Sequence, residues 1–319
     1  AGLFSNLSFS HNSRYLLDFS FRLDGSSQFG SDNRFAPFWS AGAGWNVHKE
    51  HFLAQTKGID RLKLRYSFGY TGSQNFDSFY GKTTSQYFNS TDYRGMIGTY
   101  LLGFGNNALA WQKTQKNNLG LDLTLFKRFD LTANYYIEKT EGSIASISTA
   151  PSTGFDQYKE NMGDLEAKGW ELYTRYNILA NSANRNNWSV FVNLFSVKTK
   201  ITKVSNTIAA LNKSANEKLS SLPITRYAEG QSQTAIWAVP SLGIDPASGY
   251  EIFRTRDGKL TNTYNPLDQV IVGDSRSDVE GTFGTNFEYN GIGFNAFFRF
   301  RVGGQAYNQT LADRVVNVN

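Results

Sequence analysis

The sequence predicts an all-β membrane fold: about ten strands of a large antiparallel transmembrane β-barrel. Three observations predict it. Ten segments alternate apolar and polar residues with a period of two, which puts an oily face and a wet face on each strand. The connections between them alternate between shorter and longer. The composition is also unlike that of a soluble domain. Of the 319 residues 18 % are charged and 15 % aromatic, where about a quarter charged is usual, and Asn, Ser, Thr, Gln and Gly fill the gap.

Taken in order, Gly2–Ser10 is a weak first strand. Tyr15–Asp24 is the cleanest, with Tyr15, Leu17, Phe19, Phe21 and Leu23 against Leu16, Asp18, Ser20, Arg22 and Asp24. Pro37–Val47 is weak. Arg61–Thr71 sets Leu62, Leu64, Tyr66, Phe68 and Tyr70 against Arg61, Lys63, Arg65 and Ser67. Asn118–Leu125 puts four leucines on one face. Asp130–Thr140 and Leu165–Leu179 follow. Trp188–Lys200 is ambiguous, because Phe191 and Phe195 fall on its expected polar side. Val279–Tyr289 and Ile292–Val302 end the series, and the last alternates most strongly. Each is about the 9–11 residues that a tilted membrane strand needs.

The connections at 11–14, 126–129, 180–187 and 290–291 are short, and the last is Asn-Gly, the strongest short hairpin signal. Those at 25–36, 72–117, 141–164 and 201–278 are longer, and 48–60 is the weak point of the pattern. Outer-membrane barrels have short periplasmic turns and long extracellular loops, so the long connections are expected outside the cell. Trp39, Trp45, Tyr70, Trp170, Tyr176 and Trp188 near strand ends suit aromatic girdles at the two interfaces.

Several classes are excluded. No apolar run approaches the ~18–20 residues of a membrane helix, and the one weak helical pattern is near Thr207–Leu222. The net charge of +5 is spread out and forms no basic stripe for nucleic acid. With no signal peptide, Ala1 reads as a mature terminus or an internal start. No nucleophile elbow, phosphate loop or dinucleotide fingerprint occurs. His48 and His51 have no Cys or further His beside them, so they read as turn residues. Asp245, Glu251 and Asp257 are interleaved with Arg254 and Arg256, which suits a solvated loop better than a calcium site. No catalytic residue, metal or cofactor is expected.

Two sets of residues remain as candidates. Arg22, Arg61, Arg65, Arg299 and Arg301, with Asp18, Asp24, Lys63, Glu171 and Arg175, would line the lumen. The long loops carry aromatics, among them Phe76, Tyr80, Tyr87, Tyr93 and Trp237, that could contact substrate or a partner protein by stacking or docking.

Seven blocks, in order and spanning nearly the whole chain, resemble the SusC/RagA-like TonB-dependent transporters. They are DGSSQFGSDNRFAPFWSAGAGWNV (24–47), RLKLRYSFGYTGSQNF (61–76), ALAWQKTQKNNLGLDLTLF (108–126), LTANYYIEKTEG (131–142), LEAKGWELYTRYN (165–177), GIDPASGYEIF (243–253) and GGQAYN (303–308). The resemblance implies the outer membrane of a Gram-negative bacterium and a plugged barrel of about 22 strands. It also implies a SusD-like lipoprotein partner and active import of oligosaccharides or peptides on energy passed through TonB. Against that pattern, residues 1–319 read as a partial receptor barrel. They contain no plug, no TonB box and no terminal aromatic strand, so the remaining barrel strands are expected elsewhere in the particle. The rival readings are a ten-stranded outer-membrane protease, which would need clustered Asp and His at its rim, and a passive porin.

Overall fold

The computed structural model describes residues 2–26, 34–73, 83–103, 105–106, 109–148, 157–181, 186–206, 208–209, 212, 226–306 and 308. The chain begins with four strands: β1 (Gly2–His11), β2 (Tyr15–Gly25), β3 (Phe35–Asn46) and β4 (Ile59–Ser73). A small hairpin follows, β5 (Thr84–Tyr93) and β6 (Met96–Gly103). Four long strands come next: β7 (Gln112–Leu125), β8 (Phe129–Ser148), β9 (Gln157–Asn181) and β10 (Asn186–Val204). Five short strands then precede the last pair: β11 (Ala235–Ala238), β12 (Ser241–Ile244), β13 (Glu251–Arg254), β14 (Leu260–Thr261) and β15 (Val270–Asp274). The last pair is β16 (Val279–Tyr289) and β17 (Ile292–Val302).

All ten expected strands form one antiparallel sheet, in the order β1-β2-β3-β4-β7-β8-β9-β10-β16-β17. The register keeps the two faces in phase across every seam, because directly opposed residues share a face. Leu17 opposes Ala43, Tyr66 opposes Leu119, and Leu119 opposes Tyr135. Tyr135 opposes Trp170, Val192 opposes Phe283, and Phe283 opposes Phe298. A slip of one residue anywhere would turn a whole strand over.

Register also removes the ambiguity of β10. Phe191 and Phe195 do lie on the polar face, opposite Arg175 and Glu171, and Phe191 packs on Phe297 with ring centroids 5.7 Å apart. Val190, Val192 and Leu194 form the apolar stripe instead. A bulge between Trp188 and Ser189 re-phases the seam so that Trp188 opposes Leu179.

The aromatics form rungs on the apolar face. Tyr15 opposes Trp45 near one end, and Phe21 opposes Trp39 six residues along. Phe129 opposes Tyr176, and Tyr135 opposes Trp170, again six residues along. At about 3.3 Å per residue, the rungs stand about 20 Å apart along the strands.

The short connections are built from backbone geometry. Asn12 and Ser13, Phe126 and Lys127, and Asn290 and Gly291 are pairs with positive φ, the requirement of the type I′ turn whose twist suits a hairpin. Arg14 N–H donates to His11 O at 2.9 Å and Arg128 N–H to Leu125 O at 3.0 Å, closing two of them. The 48–60 connection is compact: a 3-10 turn at Val47–Lys49 and one helical turn at His51–Ala54. Glu50 fixes it, accepting from Tyr15 Oη at 2.8 Å and Trp45 Nε1 at 3.0 Å, with Arg14 Nη1 3.6 Å away. His48 is spent on structure, with Nδ1 facing the backbone of Leu62 at 3.1 and 3.3 Å.

At the other end the expected strand limits are too short. The strands expected at 118–125, 130–140, 165–179 and 188–200 extend to 112–125, 129–148, 157–181 and 186–204. Beyond the apolar stripe, polar residues and glycine enter both faces with only scattered apolar ones such as Ile144, Ile201 and Val204, so alternation vanishes while backbone pairing continues. The 72–117 and 201–278 connections also hold small sheets of their own: β5-β6, β11-β15 and β12-β13-β14. The weak helical pattern near Thr207–Leu222 lies largely outside the described residues.

Candidate functional site

The candidate site is the polar face of the sheet together with the loops that fold over its long-loop end. Its wall is built by register. On β4 and β7, Arg65 Nε stands 3.0 Å from Asp122 Oδ2, and Nη2 donates to Asp122 Oδ1 at 3.0 Å and Asn134 Oδ1 at 3.1 Å. Arg61 Nη2 is 3.6 Å from the same carboxylate. The guanidinium of Arg65 passes over Gly120, where a Cβ would stand 2.9 Å from Cζ. Glycine at 120 is therefore what lets the arginine run along the wall.

A second cluster sits on β16 and β17. Glu280 Oε2 accepts from Arg299 Nη2 at 3.1 Å and Arg301 Nε at 2.9 Å, which leaves one surplus positive charge there. Arg22 pairs with Asp24 at 2.8 Å, and Asp18 accepts from Ser8 Oγ at 2.7 Å. Lys116 pairs with Glu138 at 3.0 Å. The five candidate arginines thus share one face but fall into three groups: Arg61 with Arg65, Arg299 with Arg301, and Arg22 alone.

The loops meet this face, not the apolar one. Leu109 and Trp111 pack on Ala36 and Phe38, polar-face residues of β3, into a buried cluster. Phe38 and Trp111 meet edge to face at 5.6 Å. The amide of Asn161 ties that loop segment to β9. It accepts from Ala110 N–H at 3.0 Å and donates to Ala110 O at 3.0 Å and Gly142 O at 2.7 Å. In the later loop, Gly230 N–H donates to Ile201 O and Ile201 N–H to Gln231 O, at 2.8 and 2.9 Å. A cleft of about 330 Å³ remains between loop and wall, lined by Phe195, Val197, Thr234, Ser275, Arg276 and Glu280.

Two loop acids are held ionised. Burial works against the charge of Asp274, but hydrogen bonds from Ser232, Thr234 and the Arg276 N–H keep its carboxyl below the ordinary value. Asp245 is lowered by bonds from the Ser248 hydroxyl and the Ala247 N–H. That is a self-contained turn, consistent with the solvated-loop reading. Among the described residues no group of three or more His, Cys, Asp or Glu could hold a metal ion.

The aromatic candidates separate. Tyr87 is 67 % exposed on the β5-β6 hairpin, beside a Phe88–Tyr100 pair with centroids 5.0 Å apart. Trp237 differs from expectation. It is only 7 % exposed, under the Arg226 guanidinium at 5.4 Å from its ring centroid, so it packs the β11-β15 sheet instead of presenting a face. Phe76 and Tyr80 lie outside the described residues, as does the side chain of Tyr93.

Sequence reading missed Asp122, Asn134, Glu280 and Asn161 as partners. Glu280 was within reach, because counting back from the Asn290-Gly291 turn sets it opposite Arg301. Asp122 and Asn134 needed the β4-β7 pairing, across a connection whose length hides the register.

The comparisons bear on the whole of this arrangement. A family model described as "TonB dependent receptor-like, beta-barrel" matches residues 1–308. TonB-dependent receptor P3 of Formosa agariphila is 29 % identical over 98 % of this chain and 32 % of its own length. TonB-dependent receptor SusC of Bacteroides thetaiotaomicron is 34 % identical over 53 % of this chain and 18 % of its own. Among solved structures, the RagAB peptide transporter superposes with a TM-score of 0.77 at 23 % identity, over 95 % of this chain and 33 % of that one. At that identity the likeness speaks for fold. The chain spans about a third of the length of the relatives that it matches over nearly all of its own.

Proposed function

The chain belongs to the TonB-dependent receptor-like β-barrel family, proteins of the Gram-negative outer membrane, and from that premise we propose that it forms barrel wall in an active importer of large nutrients. The observation that carries the reading is the phase-locked sheet, one face apolar over ten strands and the other lined with paired charge. Its outer strands, β1 and β17, each pair on one side only among the described residues. Lipid does not tolerate open edges, which supports closure by further strands into a barrel of about 22. The polar face then lines the lumen, and the long loops lie outside the cell.

Oligosaccharides or peptides are the proposed cargo, with a SusD-like lipoprotein as partner and TonB as the source of energy. The relatives support this: TonB-dependent receptor SusC on one side, and the RagAB peptide transporter on the other. The β5-β6 hairpin is the proposed loop contact for cargo or lipoprotein, supported by the exposure of Tyr87, Met96 and Ile97.

Uptake by the full-length receptor tests the reading. It should stop when the proton gradient is collapsed or TonB is deleted, and removal of residues 84–103 should weaken uptake or lipoprotein association. Uptake that persists without TonB would point to a passive porin. Unchanged uptake and association without the hairpin would remove its proposed role.

A further inference from the structure

The apolar face carries a charged patch that the lumen reading does not use. Above the rung where Tyr135 opposes Trp170, the next outward row sets Ile137 opposite Lys168, and Lys168 opposite Lys198. The row after it sets Lys139 opposite Glu166, and Glu166 opposite Lys200. All four lysines are exposed. They share the face of the lipid-contacting aromatics and begin one row above them.

The pairing is unusual in two respects. Lys168 and Lys198 stand directly opposed, which is destabilising for like charges with nothing between them. Within these two rows one carboxylate, Glu166, stands among the four lysines and meets Lys168 at 2.7 Å; the next row outward adds Glu141 opposite Lys113. Lys139, Lys198 and Lys200 are in no ion pair among the described residues. On the polar face, by contrast, Arg22, Arg61, Arg65, Arg299, Arg301 and Lys116 each reach a carboxylate. A net charge of about +3 in these two rows therefore faces outward at the height of the long-loop-side headgroups. Clusters of this kind beside a membrane surface attract anionic lipid headgroups.

We infer that Lys139, Lys168, Lys198 and Lys200 form a docking site for the phosphate groups of the phosphorylated glycolipid in the outer leaflet. Lysine stems can lie along the aromatic rung while their ammonium groups reach the headgroup, and one phosphate between Lys168 and Lys198 removes their repulsion. The comparable row on β2 and β3 carries Leu23 and Pro37, and Lys113 on β7 is matched by Glu141 opposite it, so the surplus positive charge lies in the β8–β10 sector of the wall.

The inference rests on the reading that places the long loops outside the cell, and that is tested apart from it. A cysteine at Met96 in the full-length receptor should react with a membrane-impermeant maleimide on intact cells; failure to react would overturn the orientation. For the site itself, the full-length receptor is placed in nanodiscs containing bisphosphorylated lipid A, dephosphorylated lipid A or phosphatidylglycerol, and retained lipid is counted by native mass spectrometry. Bisphosphorylated lipid A should be retained about tenfold or more over the other two, and a K139Q/K168Q/K198Q/K200Q variant should lose that preference. A K49Q/K57Q variant, altered at the short-turn end, should keep it. Equal retention of the three lipids, or a preference intact in the fourfold variant, would overturn the inference. The heat-modified gel shift of each variant shows that the barrel is folded.

Discussion

The two faces of the same ten strands hold together in different ways. On the apolar face, side chains need no partner beyond lipid and one another, and what matters is that none of them carries charge within the stripe. On the polar face the main charge clusters are tied across strands: Arg65 to Asp122 and Asn134, and Glu280 to Arg299 and Arg301. The difference teaches that the first face tolerates exchange of one apolar residue for another but not a change of polarity. The second tolerates a change of polarity but not loss of register.

One charged substitution on each face should expose that difference. Leu121→Arg, at the middle of the apolar stripe, should cost about 2–4 kcal/mol in unfolding of the full-length receptor from bilayers. Asn286→Arg, on the polar face opposite Asn295, should cost under about 1 kcal/mol by the same measurement. Equal costs would break the comparison. The next largest effect is expected at Gly120. Gly120→Leu puts a side chain where the Arg65 guanidinium lies and strands Asp122 and Asn134, for about 1–3 kcal/mol.

Asn161→Ala should release the loop segment at Ala110, removing three hydrogen bonds worth roughly 1 kcal/mol each before relaxation. Hydrogen exchange at residues 109–111 should rise while exchange in β7 stays slow. Glu280→Gln should change stability little, because both arginines are well exposed and solvent screens such pairs. Its effect should appear instead as stronger anion selectivity of the open barrel in planar bilayers.

The smallest effect belongs to Glu50 in the short-turn end. Its carboxyl is held below the ordinary value by the Trp45 indole N–H first and the Tyr15 hydroxyl second, with Arg14 and His51 adding to them against partial desolvation. A carboxylate lowered in the folded state contributes stability above its unfolded value, and that contribution is lost as pH falls through the folded one. The stability difference between wild type and Glu50→Gln should therefore be present at neutral pH and shrink below about pH 4.

Much of the fold was legible because the information is local. Period two needs no partner strand to be read, and Asn290-Gly291 announces its own hairpin. The type I′ turn at Phe126-Lys127 was harder to see, since neither residue favours positive φ, yet Gly58 O accepts from Phe126 N–H at 2.8 Å and the Asp60 carboxylate from Lys127 N–H to hold it. The upper parts of β8, β9 and β10 were hidden, because scattered residues such as Ile144, Ile201 and Val204 among polar ones and glycine leave no alternation. The site was legible in half. Arg65 and Arg301 could be assigned a face, but the carboxylate each one meets depends on register, which for β4 and β7 is set across a long loop. Trp237 was misread for a related reason: the β11-β15 sheet that buries it lies inside a connection that looks featureless in sequence.

The most direct test of the two-faced wall is an accessibility scan along β7. The chain has no cysteine, so within it a spin label at each position from Asn118 to Leu123 in the full-length receptor would be unique. In bilayers, labels at 119, 121 and 123 should be relaxed more by oxygen than by a water-soluble nickel complex, and labels at 118, 120 and 122 the reverse. A profile without that period of two, or with its phase inverted, would contradict the assignment of the apolar face to lipid.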